Sequence, residues 1–102
     1  VNTLNQIDFY VMNLFEIIED KRSKGEDWIV FVVSDHGGDG FGHGDAENPH
    51  INKTVFFAQH PNLSFNNNYI TNQTDLAPTI PDFMGVSSSE FDCKTDGVSI
   101  IQ

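Results

Sequence analysis

The sequence predicts an α/β chain, on three observations. The unbroken apolar run Trp28–Val33, in which Ile29, Val30, Val32 and Val33 are β-branched, is too short to span a membrane and reads as a strand buried on both faces. Before it, Leu4, Ile7, Val11, Leu14, Phe15 and Ile18 recur three and four residues apart, which makes one apolar stripe along an amphipathic helix. After it, T-V-F-F-A at Thr54–Ala58 repeats the strand signature, and the stretch from Thr71 to Val86 carries a helical one.

In chain order, Thr3 or Asn2 caps the first helix. Lys21, Arg22 and Lys24 followed by Gly25 end it near Ser23, cations against the carbonyl end of the dipole and glycine beyond the last turn. Asp8 sits beside the apolar stripe and reads as a solvated flank rather than a functional acid. After the first strand and its glycine-rich loop, D-A-E-N-P-H-I-N-K reads as surface loop, because Pro49 rules out a continuing central strand. Gln59, His60 and Pro61 close the second strand, with His60 a surface turn residue. Asn62–Asn68 is loop by composition, and Tyr69–Ile70 adds a short extended piece. Thr74 is the N-cap signal of the last helix, Asp75 lies in its first turn, and Leu76, Ile80, Phe83 and Met84 form its apolar face before Gly85. Pro81 removes an interior hydrogen bond and clashes one turn back, so this helix is expected to be short or kinked. Val98–Ile101 reads as one last short strand.

The 102 residues and 11.4 kDa allow one domain at most, with a modest core. The formal charge of -10, from 15 acidic and 5 basic side chains, argues against binding nucleic-acid duplexes or anionic membranes. It agrees with bound cations, and equally with a role in solubility alone. Cys93 is the single cysteine, so no intrachain disulfide is possible. No stretch has the length of a membrane span, and V-N-T-L-N-Q lacks the basic start of a secretion signal. With Val1 first and helical patterning at once, the chain reads as part of something longer. Sequons at Asn52, Asn62 and Asn72 are a weak signal in so asparagine-rich a sequence.

In open α/β sheets the working groups gather beyond the carboxyl ends of strands, and here that position holds Ser34, Asp35 and His36. Carboxylate oxygen with imidazole nitrogen suits zinc or a similar divalent ion. Adjacent residues on a straight strand face opposite ways, so a shared ion requires a turn, which Gly37 and Gly38 permit. Gly42-His43-Gly44 sets a second imidazole between flexible positions, able to swing back toward the pair. The candidate constellation is Asp35, His36 and His43. Asp35 as a helix cap is weakened because no helix follows directly. The loop also lacks the lysine and helix of a phosphate-binding P-loop, and it matches neither a calcium nonapeptide repeat nor an EF-hand.

S-D-H-G-G at Ser34–Gly38, G-H-G at Gly42–Gly44, T-V-F-F-A at Thr54–Ala58 and T-D-L-A-P-T-I at Thr74–Ile80, ending in M-G-V, together resemble the C-terminal part of the alkaline phosphatase superfamily, most nearly its type I phosphodiesterase/nucleotide pyrophosphatase branch. The resemblance spans roughly Ile7 to Gly97. It implies a partial alkaline-phosphatase-like sandwich with buried central strands flanked by helices, and an extracytoplasmic or secreted setting. It also implies hydrolysis of small phosphate esters or nucleotides with two divalent metals, zinc or alternatively manganese. By position, Asp35 and His36 would bind the metal that also holds the nucleophile, and His43 would help bind the other. The family's nucleophile and remaining ligands precede the Asp-His motif, and residues 1–34 hold no matching block. The spacer between His36 and His43 is shorter than in many relatives. Asp-His where sulfatases commonly carry Asp-Asn favours phosphate over sulfate esters. A sulfatase, a cofactor-independent phosphoglycerate mutase and a non-catalytic module with a vestigial metal loop are the alternatives.

Overall fold

A computed structural model describes residues 2–91 and 94–102. Cys93 lies outside the described residues. The chain combines helices with one small antiparallel sheet: α1 (Asn2–Ser23), β1 (Val30–Val33), α2 (Pro49–Asn52), β2 (Phe56–Gln59) and α3 (Leu76–Phe83), with short 3₁₀ turns at Gln73–Asp75 and Ser88–Glu90.

The first helix ends as its sequence demands. Gly25 N–H donates to the Arg22 carbonyl at 2.9 Å and Glu26 N–H to the Lys21 carbonyl at 3.2 Å, the two bonds of a Schellman motif. Lys24 reaches back one turn to Asp20 at 2.6 Å. The apolar stripe is only partly used. Val11, Phe15 and Ile18 are half-buried, whereas Leu4, Ile7 and Leu14 are exposed, and no α1 residue is fully buried. Arg22 joins the helix to the sheet by donating to the Trp28 carbonyl at 2.6 Å and to Gln59 Oε1 at 3.0 Å.

β1 and β2 pair Val30 with Gln59, Phe31 with Ala58, Val32 with Phe57 and Val33 with Phe56. Phe31 and Phe56 are diagonal neighbours on one face and meet edge to face at 6.1 Å. The other face is open, with Val32 39% and Phe57 46% exposed. The expectation of burial on both faces is therefore corrected. Among the described residues the sheet has two strands and no layer covers its Val32 face, although its composition is that of a doubly covered strand.

Four further expectations change. The stretch read as surface loop contains α2, whose N-cap Asn48 accepts the His50 N–H at 2.9 Å and whose first residue is Pro49. Proline at N1 starts a helix because its missing N–H is one the first turn leaves unpaired anyway. His60 is buried rather than a surface turn residue. Its Nε2 donates to Asp27 Oδ1 at 2.7 Å, its Nδ1 accepts the Asn62 N–H at 3.1 Å, and its ring meets Phe83 edge to face. Tyr69–Ile70 is not extended structure, since Tyr69 N–H closes a turn on the Asn66 carbonyl. The last strand is reduced to a single bridge between Phe65 and Ile101. Its Val98 and Ile100 amides donate to Asp75 Oδ1 and Thr79 Oγ1, so side chains of α3 and the turn before it take bonds a strand neighbour would use.

That exchange organises the core. Asp75 is 1% exposed and also accepts the Asn72 N–H at 2.7 Å, while Thr79 donates to the Asp75 carbonyl at 2.5 Å. Asp75, expected in the first turn, closes that turn onto Asn72, a role the sequence assigned to Thr74. Around this hub lie Pro78 and Ile100, both buried. α3 is short, as Pro81 requires, and ends in a second Schellman motif through Gly85 and Val86. The molecule is expanded for its length. Its radius of gyration is 16.1 Å, against about 13 Å for a compact domain of this length. Its accessible surface is 7898 Å², where a compact monomer of this mass exposes about 5,800 Å².

Candidate metal centre

At the end of β1 the antiparallel ladder is finished by a side chain. Ser34 N–H donates to the Val55 carbonyl at 3.0 Å, but the return bond from Val55 N–H goes to Ser34 Oγ at 2.8 Å. The hydroxyl stands in for the backbone carbonyl, so the chain leaves the sheet with two carbonyls needing other partners. Gln73 takes both, its Nε2 donating to the Ser34 carbonyl at 2.5 Å and to the Asp35 carbonyl at 2.7 Å.

The turn brings Asp35 and His36 to one side. His36 N–H donates to Asp35 Oδ1 at 2.9 Å, and His36 Nε2 lies 3.6 Å from Asp35 Oδ2. Next, Gly37 N–H donates to the Ile51 carbonyl at 2.7 Å, which seats the loop on α2. The reason for glycine here is close approach, not turning: a Cβ at Gly37 would lie 2.0 Å from the His50 carbonyl oxygen and 2.6 Å from that of Lys53. Gly38 meets nothing within 4 Å.

The return is made further on. Asp39 and Gly42 exchange both backbone bonds, at 3.2 and 2.9 Å, across a tight turn whose first central residue is Gly40 at φ +58. Asn48 Nδ2 donates to Asp39 Oδ2 at 2.9 Å and ties this turn to the start of α2. His43 thereby comes back over His36, the rings stacked with centroids 5.3 Å apart and planes 15° from parallel. Asp35, His36 and His43 line one open cleft of about 260 Å³, together with Asn52, Thr54 and Gln73. A larger cleft of about 760 Å³, bordered by Pro78, Asp82 and Val98, contains none of the three.

The donor set of Asp35 and His36 fits a divalent ion. His36 Nδ1 lies 2.5 Å from the Gly37 carbonyl oxygen. A carbonyl only accepts, so Nδ1 carries the proton and Nε2 keeps its lone pair, the tautomer that metal-binding histidines adopt. Two ligands at zinc bond lengths of about 2.0–2.1 Å and a tetrahedral angle stand about 3.4 Å apart, close to the 3.6 Å between Nε2 and Oδ2. His43 does not complete this set. Lone pairs lie in the ring planes, and two nearly parallel rings aim theirs side by side rather than at one point. Among the described residues no three His, Cys, Asp or Glu side chains converge on a metal-sized position.

No family model, characterised protein or solved structure matches this chain. The site therefore stands on its own geometry. Sequence reasoning brought together the three residues that share the cleft, but it missed two supports. Asn48-Pro49 was legible as a helix start, whereas the Gln73 contact had no local signal, because it crosses 38 residues of chain. Ser34, the residue beside the motif, has its hydroxyl committed to the Val55 amide. Among the described residues no helix is long and apolar enough to cross a membrane.

Proposed function

We propose that this chain supplies part of the metal site of a phosphate-ester hydrolase, of phosphodiesterase or phosphatase type, with Asp35 and His36 on one divalent ion and His43 on a second. The observation that carries the reading is the approach of His36 Nε2 to Asp35 Oδ2, at 3.6 Å, with the opposite ring nitrogen already committed to the Gly37 carbonyl. The order of the sequence blocks, which resembles the alkaline phosphatase superfamily, supports the choice of reaction. When bound, two ions supply an activated oxygen nucleophile and neutralise charge on the transferring phosphoryl group.

In this reading Asp35 contributes an anionic oxygen and His36 a neutral nitrogen of fixed orientation, while the stacked His43 presents a second nitrogen alongside. A cleft of about 260 Å³ has room for a phosphoryl group beside the two candidate ligands. Three ligands divided between two ions are fewer than either needs. The working site is accordingly completed by residues outside these 102. The finer architecture, an alkaline-phosphatase-like sandwich, belongs to the same proposal: the open Val32–Phe57 face and the exposed Leu4 and Leu14 are surfaces that further layers would cover. Zinc is the first choice of metal and manganese the second.

The test is Asp35→Ala and His36→Ala in the complete enzyme, assayed on a chromogenic phosphodiester with zinc or manganese. Loss of one ion and a fall of roughly a thousandfold or more in kcat/KM are expected, as a two-metal mechanism fails without one ion. Full metal content and rate in Asp35→Ala would end the reading. Turnover of an aryl sulfate in preference to the phosphodiester would move it to a sulfatase.

A further inference from the structure

We propose that Gln73 is the positioning residue of the Asp35–His36 half-site, an inference that rests on the metal reading above. The pair stands where the chain has just left a β-ladder, and departure from a ladder leaves carbonyls without partners. Ser34 solves one half of the problem by offering Oγ to Val55 N–H. That substitution frees the Ser34 carbonyl, and the Asp35 carbonyl follows it out of the sheet. A single primary amide nitrogen has two hydrogens, and Gln73 Nε2 uses them on these two successive carbonyls, at 2.5 and 2.7 Å. With two acceptors opposite, the amide can sit only with its nitrogen toward them.

The clamp is held from behind. Gln73 opens the 3₁₀ turn Gln73–Asp75, in which Asn72 N–H donates to Asp75 Oδ2 at 2.7 Å. Asp75 is itself fixed by the Val98 amide at 2.9 Å. A buried, hydrogen-bonded hub at the head of α3 thus reaches across to the two peptide units that carry Asp35 and His36. The loop is otherwise anchored by the Ser34–Val55 bond before the pair and the Gly37–Ile51 bond after it, while the Asp35 side chain is 88% and that of His36 44% exposed. Gln73 also lines the same cleft. It acts on the ion through the backbone of its ligands rather than by touching the ion.

The experiment uses the 102-residue chain with Mn²⁺ alone as probe, reading paramagnetic broadening of the His36 and His43 ring resonances, which registers weak binding. Gln73→Met keeps the side-chain length and removes both donors. Supporting groups behind metal ligands typically contribute 10- to 100-fold in affinity, so the concentration of Mn²⁺ needed to broaden His36 should rise about tenfold. The carbonyl ¹³C shifts of Ser34 and Asp35 should move upfield and the Val98 amide resonance should stay, while the thermal midpoint falls only by the cost of two solvent-accessible hydrogen bonds. A merely structural glutamine would lower the midpoint and leave the Mn²⁺ dependence alone, which would overturn the proposal. Gln73→Leu, uncharged and likewise without donors, is read the same way if the Met variant misfolds. Asp35→Asn separates the two claims. If it abolishes His36 broadening while both Gln73 variants stay within twofold of the parent, the clamp is wrong and the metal reading stands. If it leaves the broadening unchanged, the metal reading falls and the clamp with it.

Discussion

Gly37→Ala and Gly38→Ala, one methyl group each at adjacent positions, should have opposite effects. At Gly37 the added carbon would lie 2.0 Å from the His50 carbonyl oxygen and 2.6 Å from that of Lys53. Both obstacles are backbone atoms of α2 and its C-cap, so no flexible side chain can yield; the loop and the helix must move apart by more than an ångström. Overpacking of this kind costs about 1–3 kcal/mol. The separation also breaks the 2.7 Å bond from Gly37 N–H to the Ile51 carbonyl, a further loss of about 1 kcal/mol. A destabilisation of about 2–4 kcal/mol follows for Gly37→Ala. At Gly38 the same carbon meets nothing within 4 Å and φ is not positive. There the substitution mainly restricts the unfolded chain and should be neutral or stabilise by about 0.4–1 kcal/mol. Urea unfolding of the two variants beside the parent, followed by Trp28 fluorescence, measures the difference. Free energies for the two variants within 0.5 kcal/mol of each other, a spread ordinary for surface changes, would show that the loop does not press on α2 as described.

Other predictions follow from the hub, the second histidine and the open surfaces. Asp75→Asn places an NH₂ opposite one of the two backbone N–H groups that Asp75 accepts, so about 3 kcal/mol should be lost and Val98 amide exchange should accelerate; protection of Val98 equal to the parent's would contradict the role assigned to Asp75. In the two-metal enzyme proposed above, His43→Gln should lower the stoichiometry or affinity of one ion and spare the other, by metal titration; unchanged binding of both would return His43 to a turn residue. The 102 residues alone should self-associate, because they expose roughly 2,000 Å² more than a compact chain of their mass, including Leu4, Ile7 and Leu14 of α1. Sedimentation at rising concentration checks this, and a monomer throughout would refute it. The same chain with zinc or manganese should not turn over a chromogenic phosphodiester, since no matched nucleophile accompanies its three candidate ligands.

Local rules determined a good deal of this protein in advance. The basic last turn followed by Gly25 stops α1, Gly85 stops α3 and Pro81 keeps α3 short, because capping and proline geometry depend on residues within one turn. Two β-branched or aromatic runs became strands that pair, and Asp35, His36 and His43 were legible as a group because they stand on one short loop. Asn48-Pro49 was equally local, and there the signal was present and misread. What the sequence did not disclose are the contacts between distant segments. His60 is buried because Asp27 and Phe83 come to it from elsewhere in the chain, and Val98–Ile101 gives up a ladder because Asp75 and Thr79 offer oxygens that no periodicity announces. Strand burial was misjudged for a related reason: composition records what a face is able to bury, while only the neighbouring layers decide whether it is covered. The candidate metal loop shows both sides. Its candidate ligands follow from residue type and spacing, but the Ser34 Oγ that replaces a carbonyl in the ladder and the Gln73 amide that meets the two freed carbonyls depend on contacts across the fold, and only the tertiary structure brings those groups together.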